Sequence, residues 1–220
     1  MSPEDNHCMT KKKILLRVDD YGREHDRFLS LLRVTETHAA ALNVGAIPAL
    51  YAAVPRPRFT LKHCFFQHGF AHMNHAASSA PKSEFPAERS LEARAQDITA
   101  GLQLLADVEG FFPAFCAPWN RLRPGLTAHL ASLGHRWLLG GSLPEDHAPL
   151  RFLPYCFDLH TSRQARHAPA ELAQQILGSP RALVTLMLHH TFMDERALRE
   201  LDELLSLISG SAHYVTLDEL

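Results

Sequence analysis

Lys13-Ile14-Leu15-Leu16-Arg17-Val18-Asp19-Asp20-Tyr21-Gly22 is the stretch that decides the fold. Its apolar run from Lys13 to Val18 stops at two carboxylates, which reads as a buried strand opening into a polar loop. The glycine-rich dinucleotide fingerprint is absent after this strand, where Asp19-Asp20-Tyr21-Gly22 stands instead. Further strand-like runs follow at Ala41–Pro48, His63–Gln67, Phe111–Cys116, Arg136–Leu139, Arg151–Asp158, Leu183–Leu188 and His213–Leu217. Helical spacing fills the gaps. Leu91, Ile98, Leu102 and Leu105 share one face, and Leu126 and Leu130 lie between Pro124 and Gly134. Leu198, Leu201, Leu205 and Ile208 form a stripe after the capping residue Asp194. This alternation predicts parallel strands covered by helices, and about seven such units predict a single-domain α/β chain folded as a distorted, incomplete (β/α)7-type barrel. An open doubly wound sheet is the competing arrangement. Residues 1–12 read as a flexible N-terminal tail, and Ser78–Pro86 as a surface excursion within the domain.

The composition narrows the function. The 220 residues carry 22 Lys+Arg against 24 Asp+Glu, a formal net charge of −2, and 46% of them are hydrophobic. That balance argues against a nucleic-acid partner, which needs a basic excess. The one cationic run, Lys11-Lys12-Lys13, reads as the solvated start of the first strand. No run of 18 apolar residues is present, so no membrane insertion is expected. The acidic, polar start Met1-Ser2-Pro3-Glu4-Asp5-Asn6 lacks the features of a secretory signal, and a cytoplasmic location is expected. Cys8, Cys64, Cys116 and Cys156 form no paired motif and read as buried small residues.

Fifteen histidines are many for this length, and their placement matters more than their number. In a barrel, reactive groups sit where strands end. The first strand ends at Asp19-Asp20, the third at His68-Gly69-Phe70-Ala71-His72, the fourth runs into Pro118-Trp119-Asn120, and the late strand ends at His189-His190. A barrel brings all four ends to one rim. His68 and His72 are four apart, so one helical turn would put both rings on the same side. Two imidazoles and a carboxylate make an open divalent-metal site. His75 reads as a surface or supporting residue. Gly69 excludes the helical zinc-protease motif. Two adjacent aspartates suit a division of labour, one binding metal and the other accepting a proton from water. His189 suits a general acid opposite that base, and strand alternation turns His190 elsewhere.

This set resembles the polysaccharide deacetylases, also called carbohydrate esterase family four or the NodB-homology family. The resemblance covers roughly residues 13 to 190, in motif order. It implies that Asp19 is the catalytic base and that Asp20 binds metal with His68 and His72. Leu188-His189 is similar to the motif that carries the catalytic acid. Pro118-Trp119 fits the end of an Arg-x-Pro-aromatic motif, and Trp119 and Asn120 are the expected sugar contacts. The chain looks closest to a branch with His-Gly-Phe-x-His and Pro-Trp-Asn signatures, associated with surface-polysaccharide or O-antigen synthesis. The resemblance implies a divalent metal, zinc above all, a carbohydrate substrate and removal of an acyl group, acetyl first. The chain departs from the pattern at Cys116, which stands where the family has the arginine that orients the base. Arg121 or Arg123 is the expected replacement. His190 stands where Asp is common, and Trp137 is the nearest candidate for the fourth motif. The alternatives are a carbohydrate-binding protein of the same fold that has lost catalysis, and another metal-dependent amidohydrolase. Lys82, Glu84 and Arg89 read as a solvated surface.

Overall fold

The computed structural model describes residues 11–142, 146–159 and 168–220. The first half of the chain forms β1 (Lys12–Tyr21), α1 (His25–Thr37), β2 (Leu42–Ala46), α2 (Pro48–Tyr51), β3 (Cys64–His68), α3 (Leu91–Leu105) and β4 (Phe111–Cys116). The second half forms α4 (Thr127–Ser132), β5 (Trp137–Gly140), β6 (Arg151–Pro154), β7 (Phe157–Asp158), α5 (Pro169–Gly178), β8 (Leu183–Leu188), α6 (Glu195–Ile208) and β9 (Ala212–Tyr214). The strands form one curled, open parallel sheet in the order β6-β5-β4-β3-β2-β1-β8-β7, with β9 paired to the start of β1. The expected incomplete barrel is therefore the observed fold, and the doubly wound alternative is not.

β1 runs further than its apolar stretch implies. It continues through Asp19 and Asp20, and every residue from Ile14 to Tyr21 is buried. Lys12 already belongs to it and donates to the carbonyls of Ser179 (2.7 Å) and Arg181 (3.1 Å). The expected tail is thus shorter at its C-terminal side, and residues 1–10, with Cys8, lie outside the described residues.

Period-2 alternation sorts the side chains of β1 into two layers. Ile14, Leu16 and Val18 pack with buried residues of α1, α5 and α6 on the outer face. Leu15 joins Cys64, Phe66, Ala114, Cys116, Trp137 and Leu139 on the concave face, closed below by Val215 and Leu217. Arg17 follows Leu15 on that face, with its guanidinium 5.7 Å from the Phe66 ring centroid. Asp194 caps α6 as expected, accepting from the Ala197 N–H at 2.8 Å.

The run Arg151–Asp158, which reads as one strand, divides. Tyr155 N–H donates to the Gly140 carbonyl (3.3 Å), whereas Cys156 N–H donates to that of Thr185 (2.8 Å). One segment thus pairs with β5 and then with β8, the two sides of the opening. The Ser78–Pro86 excursion also returns inward, because Ser83, Glu84, Phe85 and Pro86 are buried. Leu91, expected on the inner face of α3, is 49% exposed. No helix among the described residues is long and apolar enough to cross a membrane.

Candidate functional site

The C-terminal ends of β1, β3, β4 and β8 meet at one rim, and the first three lead into left-handed backbone. Asp20, His72, Trp119 and Asn120 all have positive φ, at 71°, 55°, 57° and 55°. Left-handed backbone is costly for residues with a Cβ and concentrates where surrounding structure imposes a function. At Asp20 the register of β1 against β2 shifts between Val18 and Tyr21. This break lets two adjacent aspartates point to different partners.

Asp20 faces the histidines. Its Oδ1 lies 3.3 Å from His68 Nε2 and 3.0 Å from His72 Nε2. The imidazoles do not meet through a helical turn, as the spacing suggested. His68 ends β3, and His72 returns to it through a loop without helical structure, leaving the ring centroids 5.2 Å apart. Gly69 makes that loop possible: its φ is +63°, and a Cβ there would lie 2.0 Å from Glu84 Oε2 and 2.6 Å from Pro118. Glu84 is 1% exposed, which corrects its reading as solvated surface. Its carboxylate accepts the N–H groups of Ala71 (2.7 Å) and Phe70 (3.1 Å), with Met73 further off at 3.4 Å. Arg23 adds a bond from Nη2 to the His72 carbonyl at 3.1 Å. His75 is exposed.

Asp19 faces the concave interior and is 2% exposed. Arg17 grips it with both arms of its fork, Nε to Oδ1 at 2.8 Å and Nη2 to Oδ2 at 2.5 Å. Nη2 also lies 2.7 Å from Cys116 Sγ. Gly45 leaves room for the carboxylate, since a Cβ there would be 3.0 Å from Asp19 Oδ1. The expected stand-ins for the missing arginine are elsewhere: Arg121 donates to the Lys82 carbonyl at 2.7 Å, and Arg123 is exposed.

These contacts set the charges. Burial pushes the Asp19 carboxyl upward, but the Arg17 charge, aided by His68, outweighs it and holds the group below its ordinary range. Burial likewise opposes ionisation of Asp20, and hydrogen bonds from His68 and His72 reverse the balance. Burial disfavours protonation of His68, yet the Asp19 charge and the bond to Asp20 raise its pKa well above the usual value.

His189 is partly exposed, and its Nδ1 lies 3.5 Å from Asp158 Oδ1. Asp158, at the end of β7, was not singled out from the sequence, although the strand-end rule that selects Asp19 selects it equally. His190 points into the protein, with Nε2 donating to the Arg23 carbonyl at 2.8 Å and the ring edge-on to Phe28. Trp119 is half-buried, its ring 4.5 Å from that of His72, and Asn120 Oδ1 is 3.7 Å from Cys116 Sγ. Trp137 opens β5 at the opposite end of the strand and stacks under Arg151 at 3.9 Å, so it does not join the rim.

Asp20, His68 and His72 have the chemistry and spacing of a cation site. The donor atoms of a tetrahedral zinc with bonds of about 2.0–2.1 Å lie about 3.3–3.4 Å apart. The observed 3.0 and 3.3 Å separations are close to that, and Asp20 Oδ1 is buried between the two imidazoles. Asp19, His68 and Cys116 form a second group with ligand atoms within 4.8 Å of one another, but here the Arg17 guanidinium already supplies the positive charge.

No protein-family pattern matches the chain, and no curated protein matches it in sequence. Solved structures do share its fold. A polysaccharide-deacetylase-type protein from Mycobacterium smegmatis superposes with a TM-score of 0.68 at 16% identity, covering 100% of this chain and 91% of that one. A peptidoglycan N-acetylglucosamine deacetylase gives 0.61 at 15%, covering 95% and 87%. A family 4 acetyl xylan esterase from Clostridium thermocellum, solved with a cobalt ion, gives 0.62 at 15%, covering 94% and 89%.

Proposed function

We propose that the protein is a metal-dependent hydrolase that removes an acyl group, acetyl first, from a sugar or polysaccharide precursor. The observation that carries this reading is the convergence of Asp20, His68 and His72, with the separately held carboxylate of Asp19 beside the same His68. The shared fold of carbohydrate deacetylases and esterases supports it. Asp20, His68 and His72 would hold a divalent metal, zinc being the best match to two imidazoles and one carboxylate. Such a cation supplies Lewis acidity toward the acyl oxygen and the attacking water.

The rest of the chemistry belongs to the chain. Asp19 is ionised at neutral pH and accepts the proton of the attacking water. His189 gives a proton to the departing amine or alcohol. Asp158, whose Oδ1 lies 3.5 Å from Nδ1, is the carboxylate that would orient the ring for that transfer. Trp119 and Asn120 line the rim where the sugar sits. The free cysteines Cys64, Cys116 and Cys156 suit a reducing, cytoplasmic setting. The resemblance of His68-Gly69-Phe70-Ala71-His72 and Pro118-Trp119-Asn120 to a branch associated with surface polysaccharides points the reading toward such precursors.

Acetate release from N-acetylglucosamine oligomers and from acetylated xylan tests the proposal. The expected result is release that disappears with a chelator, returns with zinc and is lost in Asp19→Asn. Zinc-loaded protein that binds these sugars without releasing acetate would favour the binding-protein alternative. Cleavage confined to linear, non-sugar amides would favour the other amidohydrolase.

A further inference from the structure

The rim contains a buried cation that the reaction outlined above does not use. Arg17 is 1% exposed and belongs to the same strand and the same face as Asp19, two residues earlier. We propose that Arg17 is the positioning residue for Asp19: anchored against Cys116, its fork fixes the plane in which that carboxylate meets the attacking water. The proposal rests on the hydrolase reading and adds to it a residue that no motif assigns.

Three observations support it. First, the pairing is bidentate, at 2.8 and 2.5 Å, and two parallel N–H bonds fix a carboxylate's orientation where a single bond would let it turn. Second, the guanidinium is itself held, because Nη2 also reaches Cys116 Sγ at 2.7 Å and the Phe66 ring lies 5.7 Å from its centre. Cys116 stands where the resembled motif has an arginine, so the positive charge sits at the same carboxylate but arrives from β1 instead of β4. Third, Asp19, His68 and Cys116 would otherwise offer a cation three ligands. With the guanidinium in that place, Asp19 stays a proton acceptor while Asp20 faces the imidazoles. Arg17 thus separates the tasks of two adjacent, chemically identical side chains.

A double-mutant cycle with a relocation arm tests this, using acetate release from N-acetylglucosamine oligomers at saturating zinc. Arg17→Met is expected to lower kcat about 10²-fold with KM changed less than about threefold, the signature of a misplaced reacting group. In the Asp19→Asn background the same substitution is expected to cost less than about threefold, because Arg17 acts through Asp19. Arg17→Met/Cys116→Arg is expected to recover at least about tenfold over Arg17→Met, since it returns a fork to the same carboxylate. Unchanged kcat in Arg17→Met, or equal losses in both backgrounds, would overturn the proposal. Should Arg17→Met not fold, Arg17→Lys carries the same two readings, keeping the charge and losing the fork. Failure of the hydrolase reading looks different: zinc-loaded wild type releases no acetate. In that event crystal structures of the zinc-loaded wild type and Arg17→Lys decide the matter. An Asp19 carboxylate turned away in the variant supports the proposal, and one that keeps its plane overturns it.

Discussion

Asp19 and Asp20 are neighbours in the chain and occupy opposite environments. Asp19 lies in β1 without left-handed backbone, faces the concave interior and is neutralised by a planar cation from its own strand. Asp20 sits at φ 71°, faces the rim and meets two imidazoles brought by another strand and its loop. Both carboxyls are held ionised against burial, one chiefly by a permanent charge and the other by histidine hydrogen bonds. A guanidinium stays charged at any pH where the protein folds, whereas an imidazole gives up its proton to an incoming metal. On the proposed reading the two sites differ in what can replace the positive partner: nothing at Asp19, a divalent cation at Asp20.

Substitution should break this contrast most visibly on the Asp20 side. Asp20→Ala or His72→Ala removes one of three donors, and zinc content after gel filtration should fall from one equivalent to near zero, with acetate release at background. A full equivalent retained in both variants would mean that the metal sits elsewhere. Asp19→Asn keeps the zinc and should lower kcat by about 10²–10⁴-fold, the range of a lost general base. Retained turnover there would move the base role to another group.

The contrast also has a pH signature. Against its burial, Asp19 and the bond to Asp20 raise the pKa of His68 well above normal, which favours a proton on that ring in the metal-free protein. Zinc must displace that proton, so its apparent affinity should rise with pH through neutrality, by up to about tenfold per pH unit. Titration calorimetry in buffers of different ionisation enthalpy should count about one proton released for His68. A pH-independent affinity would contradict the charge state assigned to His68. The smallest expected effect comes from Glu84→Gln, which leaves the ligands intact but weakens the hold on the Phe70–Met73 backbone. Zinc affinity should drop about tenfold, at the low end of the effect of a lost supporting residue.

The same contrast separates what the sequence discloses from what it hides. The apolar runs that become β1 and β8 are continuous because both faces of those strands are buried, and their positions follow directly. Strand ends then point to Asp19, Asp20, His68 and His189. Arg151–Asp158 misleads because a change of hydrogen-bonding partner between Tyr155 and Cys156 leaves no mark in the hydrophobic pattern. The His68–His72 spacing is informative, but the helical reason for it is wrong: a left-handed glycine and a buried glutamate bend the loop. Glu84 lies among charged residues in a polar stretch, with no local signal that its carboxylate turns inward. Arg17 was open to the period-2 argument that places Asp19 inside, since two residues back on a strand is the same face. An arginine in an apolar run carries no local sign of burial, because burying one requires a partner, and here the partner is Asp19, two residues on.

The most direct test is anomalous diffraction from crystals of the zinc-loaded protein. One ion is expected, bound by Asp20, His68 and His72 at about 2.0–2.2 Å, with Asp19 still paired to Arg17. An ion held instead by Asp19, His68 and Cys116, with Arg17 displaced, would contradict that assignment.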